Sequence, residues 1–260
     1  MILSLVPMKS HLMKPEHDIA RDFRAELRSF VNTFSGESMF RTLFVIWGLV
    51  SVAQYVPLLL VENDLKRDSW NSRYTFFSLV FSRSKETSTS ICTLLSLVLS
   101  FVSAAITGYM MDFNERITKK IVIFGTCFGV LSLISYGIAD LMSSFEMVLL
   151  ASACSGIAQG VAGTALWTKT IAVLRSRDDK NALLLEDDDE TDEKEKSDDF
   201  SRDMSIFWLA TLLPQILVPP LRSLLFFIFG SHETAAFATT WFMSSSIVAV
   251  ALIPISFYIY

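Results

Sequence analysis

Long stretches without a charged side chain constrain this chain more than any other feature. Its 22 basic and 27 acidic residues are bunched, and apolar runs lie between the bunches. A helix rises 1.5 Å per residue, so an uncharged apolar run of about 20 residues spans the hydrocarbon core of a bilayer. Six runs can be drawn, at 42–61, 90–111, 121–140, 147–168, 204–229 and 235–259, uncharged except for Asp140 at the end of the third and Arg222 within the fifth. Backbone amides in lipid must be satisfied within the segment, which makes these runs helices; they are too long and too uniformly apolar for barrel strands. The sequence therefore predicts an all-α, multi-pass membrane protein with the lipid bilayer as its first partner.

The charges between the runs set an orientation. Arg21, Arg24, Arg28 and Arg41 precede the first run, Arg116, Lys119 and Lys120 separate the second from the third, and Arg175 and Arg177 follow the fourth. The links "LMSSFE" and "GSHET" carry no Lys or Arg. Basic residues concentrate on the cytoplasmic side, which places the N-terminus, the 112–120 link and the 173–203 loop there. The 62–89 loop, with Lys66, Arg67, Arg73, Arg83 and Lys85, opposes this arrangement and is outvoted by three segments.

Four regions follow. Residues 1–41 form a cytoplasmic segment in which Ile19, Phe23, Leu27, Phe30, Val31 and Phe34 make one apolar helical stripe, with Arg21, Arg24 and Arg28 off it. Such a helix lies on the membrane surface or packs on the ends of the spans. Residues 42–172 hold spans one to four, and 204–260 hold spans five and six. Between them, 173–203 reads as a disordered acidic loop, because "EDDDETDEKEKSDD" sets ten acids against two lysines and offers nothing to bury.

Polar residues inside the spans are few and are read as candidates for a site. Gln54, Gln159 and Gln215 each fall within roughly 5 Å of the centres of spans one, four and five by helical rise. An amide in hydrocarbon needs partners, so all three are expected to face the bundle interior, as cavity lining or as hydrogen-bond ties between helices. Trp47 lies seven residues before Gln54 on the same face. Ser152, Ser155, Gln159 and Gly163 form a small polar face on span four, which also carries a GxxxG at Gly156 and Gly160. Arg222 sits about 10 Å from the outer end of span five. It either snorkels outward or anchors an anion or carboxylate from a polar cavity. Pro214, Pro219 and Pro220 make span five the expected place for a bend or gate.

The link "GYMMDFNERITKK", residues 108–120, resembles the cytoplasmic signature of the major facilitator superfamily, G-x-x-x-D-[RK]-x-G-[RK]-[RK]. Gly108, Asp112 and Arg116 stand at its Gly, its Asp and the first of its two closing basic positions; Phe113, Glu115 and Ile117 depart from it. The match lies between the second and third of six spans, on the cytoplasmic side, as in that family. The resemblance implies one half of the usual twelve-helix carrier, of the C-terminal type, with Gly108, Asp112 and Arg116 as a conformational latch. It also implies that spans one and four line the substrate cavity, with span five beside them. The cavity candidates are then Trp47, Gln54, Ser155, Gln159, Gln215 and Arg222.

The expected function is movement of a small solute by alternating access, as a major-facilitator-type carrier or half-size carrier completed by a second six-helix half or a homodimer. The alternative is a non-transporting, truncated or regulatory membrane protein that assembles with full-length partners. An enzyme is not expected: no HExxH, intramembrane aspartate pair or Ser/His pair occurs in the spans, and His11, His17 and His232 lie in loops. No catalytic residue, metal site or cofactor is assigned. Cys92, Cys127 and Cys154 have no metal-binding or pairing spacing and read as small apolar residues. Nucleic acid is not an expected partner.

Overall fold

The computed structural model describes residues 38–65, 85–113, 117–184, 192–229 and 233–258. The amphipathic stripe at 19–34 and Arg116 lie outside these residues. The elements are α1 (Ser38–Leu65), α2 (Lys85–Phe113), α3 (Thr118–Met142), α4 (Phe145–Ala158), a π-helical turn (Gln159–Gly163), α5 (Thr164–Leu184), α6 (Asp192–Phe229), α7 (Glu233–Val250) and α8 (Leu252–Tyr258). The described residues contain six helices long and apolar enough to cross a membrane: Ser38–Leu58, Ser88–Asp112, Thr118–Met142, Phe145–Ser176, Phe207–Phe229 and Thr234–Phe257. The fourth of these runs α4, π turn and α5 end to end, and the sixth joins α7 to α8.

Burial separates the helices into two groups. Between 50% and 61% of the apolar window is buried in four of the spans, but only 17% in the α2 span and 18% in the α6 span. Large side chains such as Phe101 and Leu94 on α2, and Phe227 and Ile216 on α6, are exposed. Apolar faces of this extent are stable against lipid and not against water.

The core forms where α1, α3, α4 and α7 meet, around Val56, Leu133, Val148 and Trp241. Tyr136 stacks on Trp241 with ring centroids 4.6 Å apart, and its hydroxyl shares a 2.9 Å hydrogen bond with that of Ser152. Ser132 donates to the Ala151 carbonyl at 2.9 Å, so α3 and α4 are tied by polar as well as apolar contact.

Small residues let the helices close on one another. A β-carbon on Gly156 would fall on the Ser96 carbonyl oxygen, and one on Gly160 on the Ser100 carbonyl and the Ser103 hydroxyl. The GxxxG is therefore the crossing point of α2 with α4 and the π turn, backbone against backbone. At Gly108, by contrast, an added β-carbon would meet nothing within 4 Å. Gly108 lies near the end of the most outward helix, and no described residue of this chain packs closely on it.

Three further features differ from the sequence reading. The backbone is helical over Thr164–Leu184 and Asp192–Phe229, so helix enters both ends of the 173–203 segment read as disordered; residues 185–191 lie outside the description. Mutual repulsion denies this segment a packed core, but Glu, Lys, Leu and Ala are good helix formers and need no core to continue a helix from a span. Helix α6 also runs through Pro214, Pro219 and Pro220 without interruption. Pro214 cannot donate to Ala210, and the Ser51 hydroxyl, which donates to Gly48 at 2.8 Å, lies 3.5 Å from that carbonyl. The helix itself is broken in the sixth span: Pro254 has no N–H for Val250, and the chain turns at Ala251, whose amide bonds Val248 at 3.0 Å.

Candidate functional site

Near the middle of the fourth span the helix widens for one turn, Gln159–Gly163, before resuming as α5. A π turn carries an extra residue and is uncommon outside functional sites. Here it is closed in from two sides. Gly160 lies against the α2 backbone, and a β-carbon on Gly125 of α3 would sit 2.6 Å from the Ala162 amide nitrogen. The widened turn holds Gln159 so that its side-chain amide donates to the Gln54 backbone carbonyl at 3.0 Å.

A cavity of about 360 Å³ opens beside this contact. Helix α1 contributes Trp47, Gln54 and Tyr55, and α2 contributes Ser100 and Ala104. The π turn supplies Gln159, Gly160 and Gly163, α5 supplies Thr164 and Trp167, and α6 supplies Phe207, Trp208 and Thr211. The volume falls within the range of small-molecule sites. Gly163 leaves space for the Gln54 amide, whose nitrogen would stand 3.3 Å from a β-carbon there.

Three tryptophans dominate the wall. Trp47 and Trp167 meet edge to face, 5.5 Å between centroids at 82°, and Trp167 meets Trp208 at 5.9 Å and 74°. Trp47 is fixed by its indole N–H, which donates to the Thr170 hydroxyl at 2.9 Å. Trp208, on α6, is 58% exposed and stands at the open side. Thr211 turns its hydroxyl proton to the Trp208 carbonyl at 2.6 Å. Among the described residues, no Asp, Glu, Lys, Arg or His lines the cavity.

A second, smaller space of about 120 Å³ lies on the other side of Gln159, lined by Pro57, Thr89, Cys92, Ser96, Tyr136, Ser152 and Ser155 among others. The Ser155 hydroxyl is buried there without a hydrogen-bond partner among the described residues.

The six sequence candidates are therefore distributed as follows. Trp47, Gln54 and Gln159 share the larger cavity, Gln159 also faces the smaller one, and Ser155 lines the smaller alone. Gln215 is exposed on α6 and lines neither. Its depth in the span does not determine its face: the buried stripe of α6 runs through Phe207, Ala210, Thr211, Pro214 and Val218, and residue 215 is one position off it. Arg222 also lines neither cavity. Its guanidinium carbon lies 4.3 Å from the Phe237 ring centroid and 5.7 Å from that of Phe226, across the α6–α7 contact.

At the 108–120 link, Asp112 is exposed. The structure gives a tie to Lys119, whose ammonium donates to the Ser256 carbonyl at 2.6 Å in the last turn of α8. A cation near a helix C-terminus complements both the unpaired carbonyls and the dipole.

Sequence reasoning missed Trp167, Trp208, Tyr55 and Thr211. Trp167 had a signal, since Gln159, Gly163 and Trp167 repeat at four-residue spacing along one helical face. Compared with protein families, with curated proteins and with solved structures, the chain matches none.

Proposed function

We propose that the chain is a solute carrier working by alternating access, of major-facilitator type or a half of such a carrier, with its N-terminus in the cytoplasm. The observation that carries this reading is the cavity at the centre of the fourth span, built from four spans and lined, among the described residues, by amides, hydroxyls and aromatic rings rather than by charges. A charge-free polar cavity inside apolar helices can hold a small solute without the desolvation cost of a buried ion. The two outward helices, α2 and α6, each also supply one wall of the cavity, so a second six-helix half or a second copy seated on them would complete its enclosure. The motif at Gly108, Asp112 and Arg116 supports the same family, with the latch as its proposed role.

The test is uptake. Proteoliposomes carrying the full chain are predicted to take up at least one of radiolabelled choline, glucose and glutamine saturably, beyond empty liposomes. Gln54→Leu and Gln159→Leu are predicted to abolish that uptake without reducing membrane insertion. Full uptake in both variants contradicts the cavity as the route, and no saturable uptake of any of the three contradicts the carrier.

A further inference from the structure

We infer that the larger cavity selects an organic cation with an alkylated ammonium head, of about the size of choline. The inference rests on the carrier reading for its biological use, but the binding itself does not. Three tryptophans form successive walls at close to right angles. Indole faces carry the negative end of the ring quadrupole, and Trp is the strongest aromatic partner for a cation. A corner of such walls surrounds a rounded, tetrahedral head better than a flat ring, which needs only one face to stack.

The polar groups agree. Three of the lining donors are already used: the Trp47 indole N–H on Thr170, one Gln159 amide hydrogen on the Gln54 carbonyl, and the Thr211 hydroxyl on the Trp208 carbonyl; the Gln54 side-chain amide and the Trp167 and Trp208 indole N–H groups also line the cavity. The Gln159 side-chain oxygen and the Thr211 hydroxyl oxygen still have lone pairs to offer. An anion would find no Lys, Arg or His among the described lining residues. A metal cation would find no carboxylate among those residues either, and ring faces cannot replace the tightly held water of a small ion. An alkylated ammonium is weakly hydrated and presents methyl groups to the rings, so it loses least on entry.

The experiment is equilibrium binding of radiolabelled choline to the purified full chain in nanodiscs, with 3,3-dimethylbutan-1-ol as competitor. That alcohol has the shape of choline with carbon in place of the charged nitrogen. Saturable choline binding is expected, with the neutral isostere at least about tenfold weaker despite its greater hydrophobicity. Trp208→Leu is expected to weaken choline about tenfold, and Trp208→Phe to recover part of the loss. Trp208 is more than half exposed, so both variants should elute as the folded chain. The inference is overturned if the isostere competes as well as unlabelled choline, if glucose displaces the label, or if choline does not bind saturably. Choline that binds while none of the three solutes crosses proteoliposomes leaves this inference standing and removes the carrier; uptake of glucose or glutamine without choline binding does the reverse.

Discussion

Gln159 donates its side-chain amide to the backbone carbonyl of Gln54 at 3.0 Å, joining the centre of the fourth span to the first. The contact is part of the cavity wall on one side and borders the smaller space on the other. It marks the place where helix packing, the π turn and the larger cavity coincide.

The GxxxG crossing gives a sharp contrast between glycines. Gly156→Ala and Gly160→Ala push a methyl group into the α2 backbone, which cannot move aside as a side chain can. Overpacking of this kind costs about 1–3 kcal/mol. Both variants are expected to lower the thermal midpoint of the detergent-purified protein. Gly108→Ala, with open space around the new carbon, is expected to leave it unchanged or slightly raised.

Ser143, at the α3–α4 turn, takes the left-handed conformation with φ 48° and ψ 40°. Its amide and that of Ser144 both close on the Ala139 carbonyl, a helix-ending arrangement that glycine usually fills. Ser143→Gly should relieve the β-carbon strain and stabilise the fold by up to about 1 kcal/mol. Unfolding in a graded SDS or urea series is the measurement, and a lower midpoint would show the turn to be held differently.

Thr170 orients Trp47 through a single hydrogen bond. Thr170→Val keeps the shape but leaves the buried indole N–H unsatisfied, a loss of about 1–3 kcal/mol. Thr170→Ser restores the acceptor. The expected pattern is reduced stability and weaker solute binding in the Val variant and near-normal behaviour in the Ser variant, read by thermal shift and binding together.

Arg222 ties α6 to α7 through the Phe237 ring, with Phe226 of its own helix beside it. Arg222→Leu is expected to cost about 0.5–2 kcal/mol of stability, with Arg222→Lys retaining part of it. Uptake by the folded fraction should persist in both, because the guanidinium lines neither cavity. Loss of uptake at unchanged stability would return Arg222 to the substrate path.

Span number and placement were legible because charge cannot be hidden in lipid: each run lacking charge is a helix, with ends displaced by a few residues. The largest displacement is in the fourth span, read to 168 but extending to Ser176. Lys169 marks the water boundary by charge, yet the helix continues past it, and Thr170 beyond it holds Trp47. Gln54 and Gln159 were found because an amide in an apolar run seeks an interior partner, whereas Gln215 shows that depth alone leaves the face open. The π turn had no signature in the sequence, since it arises from the fit of α2 and α3 against Gly160 and Ala162. Trp208 reaches the cavity only through the tertiary placement of α6.

The most direct test asks whether the cavity opens to each side of the membrane in turn. In a chain with Cys92, Cys127 and Cys154 replaced by Ala, a single Thr211→Cys reports from the α6 wall. A membrane-impermeant maleimide is applied to right-side-out and to inside-out vesicles. Labelling from both sides is the predicted result. Labelling from one side only, with the denatured protein fully reactive, would contradict alternating access and leave a fixed membrane pocket.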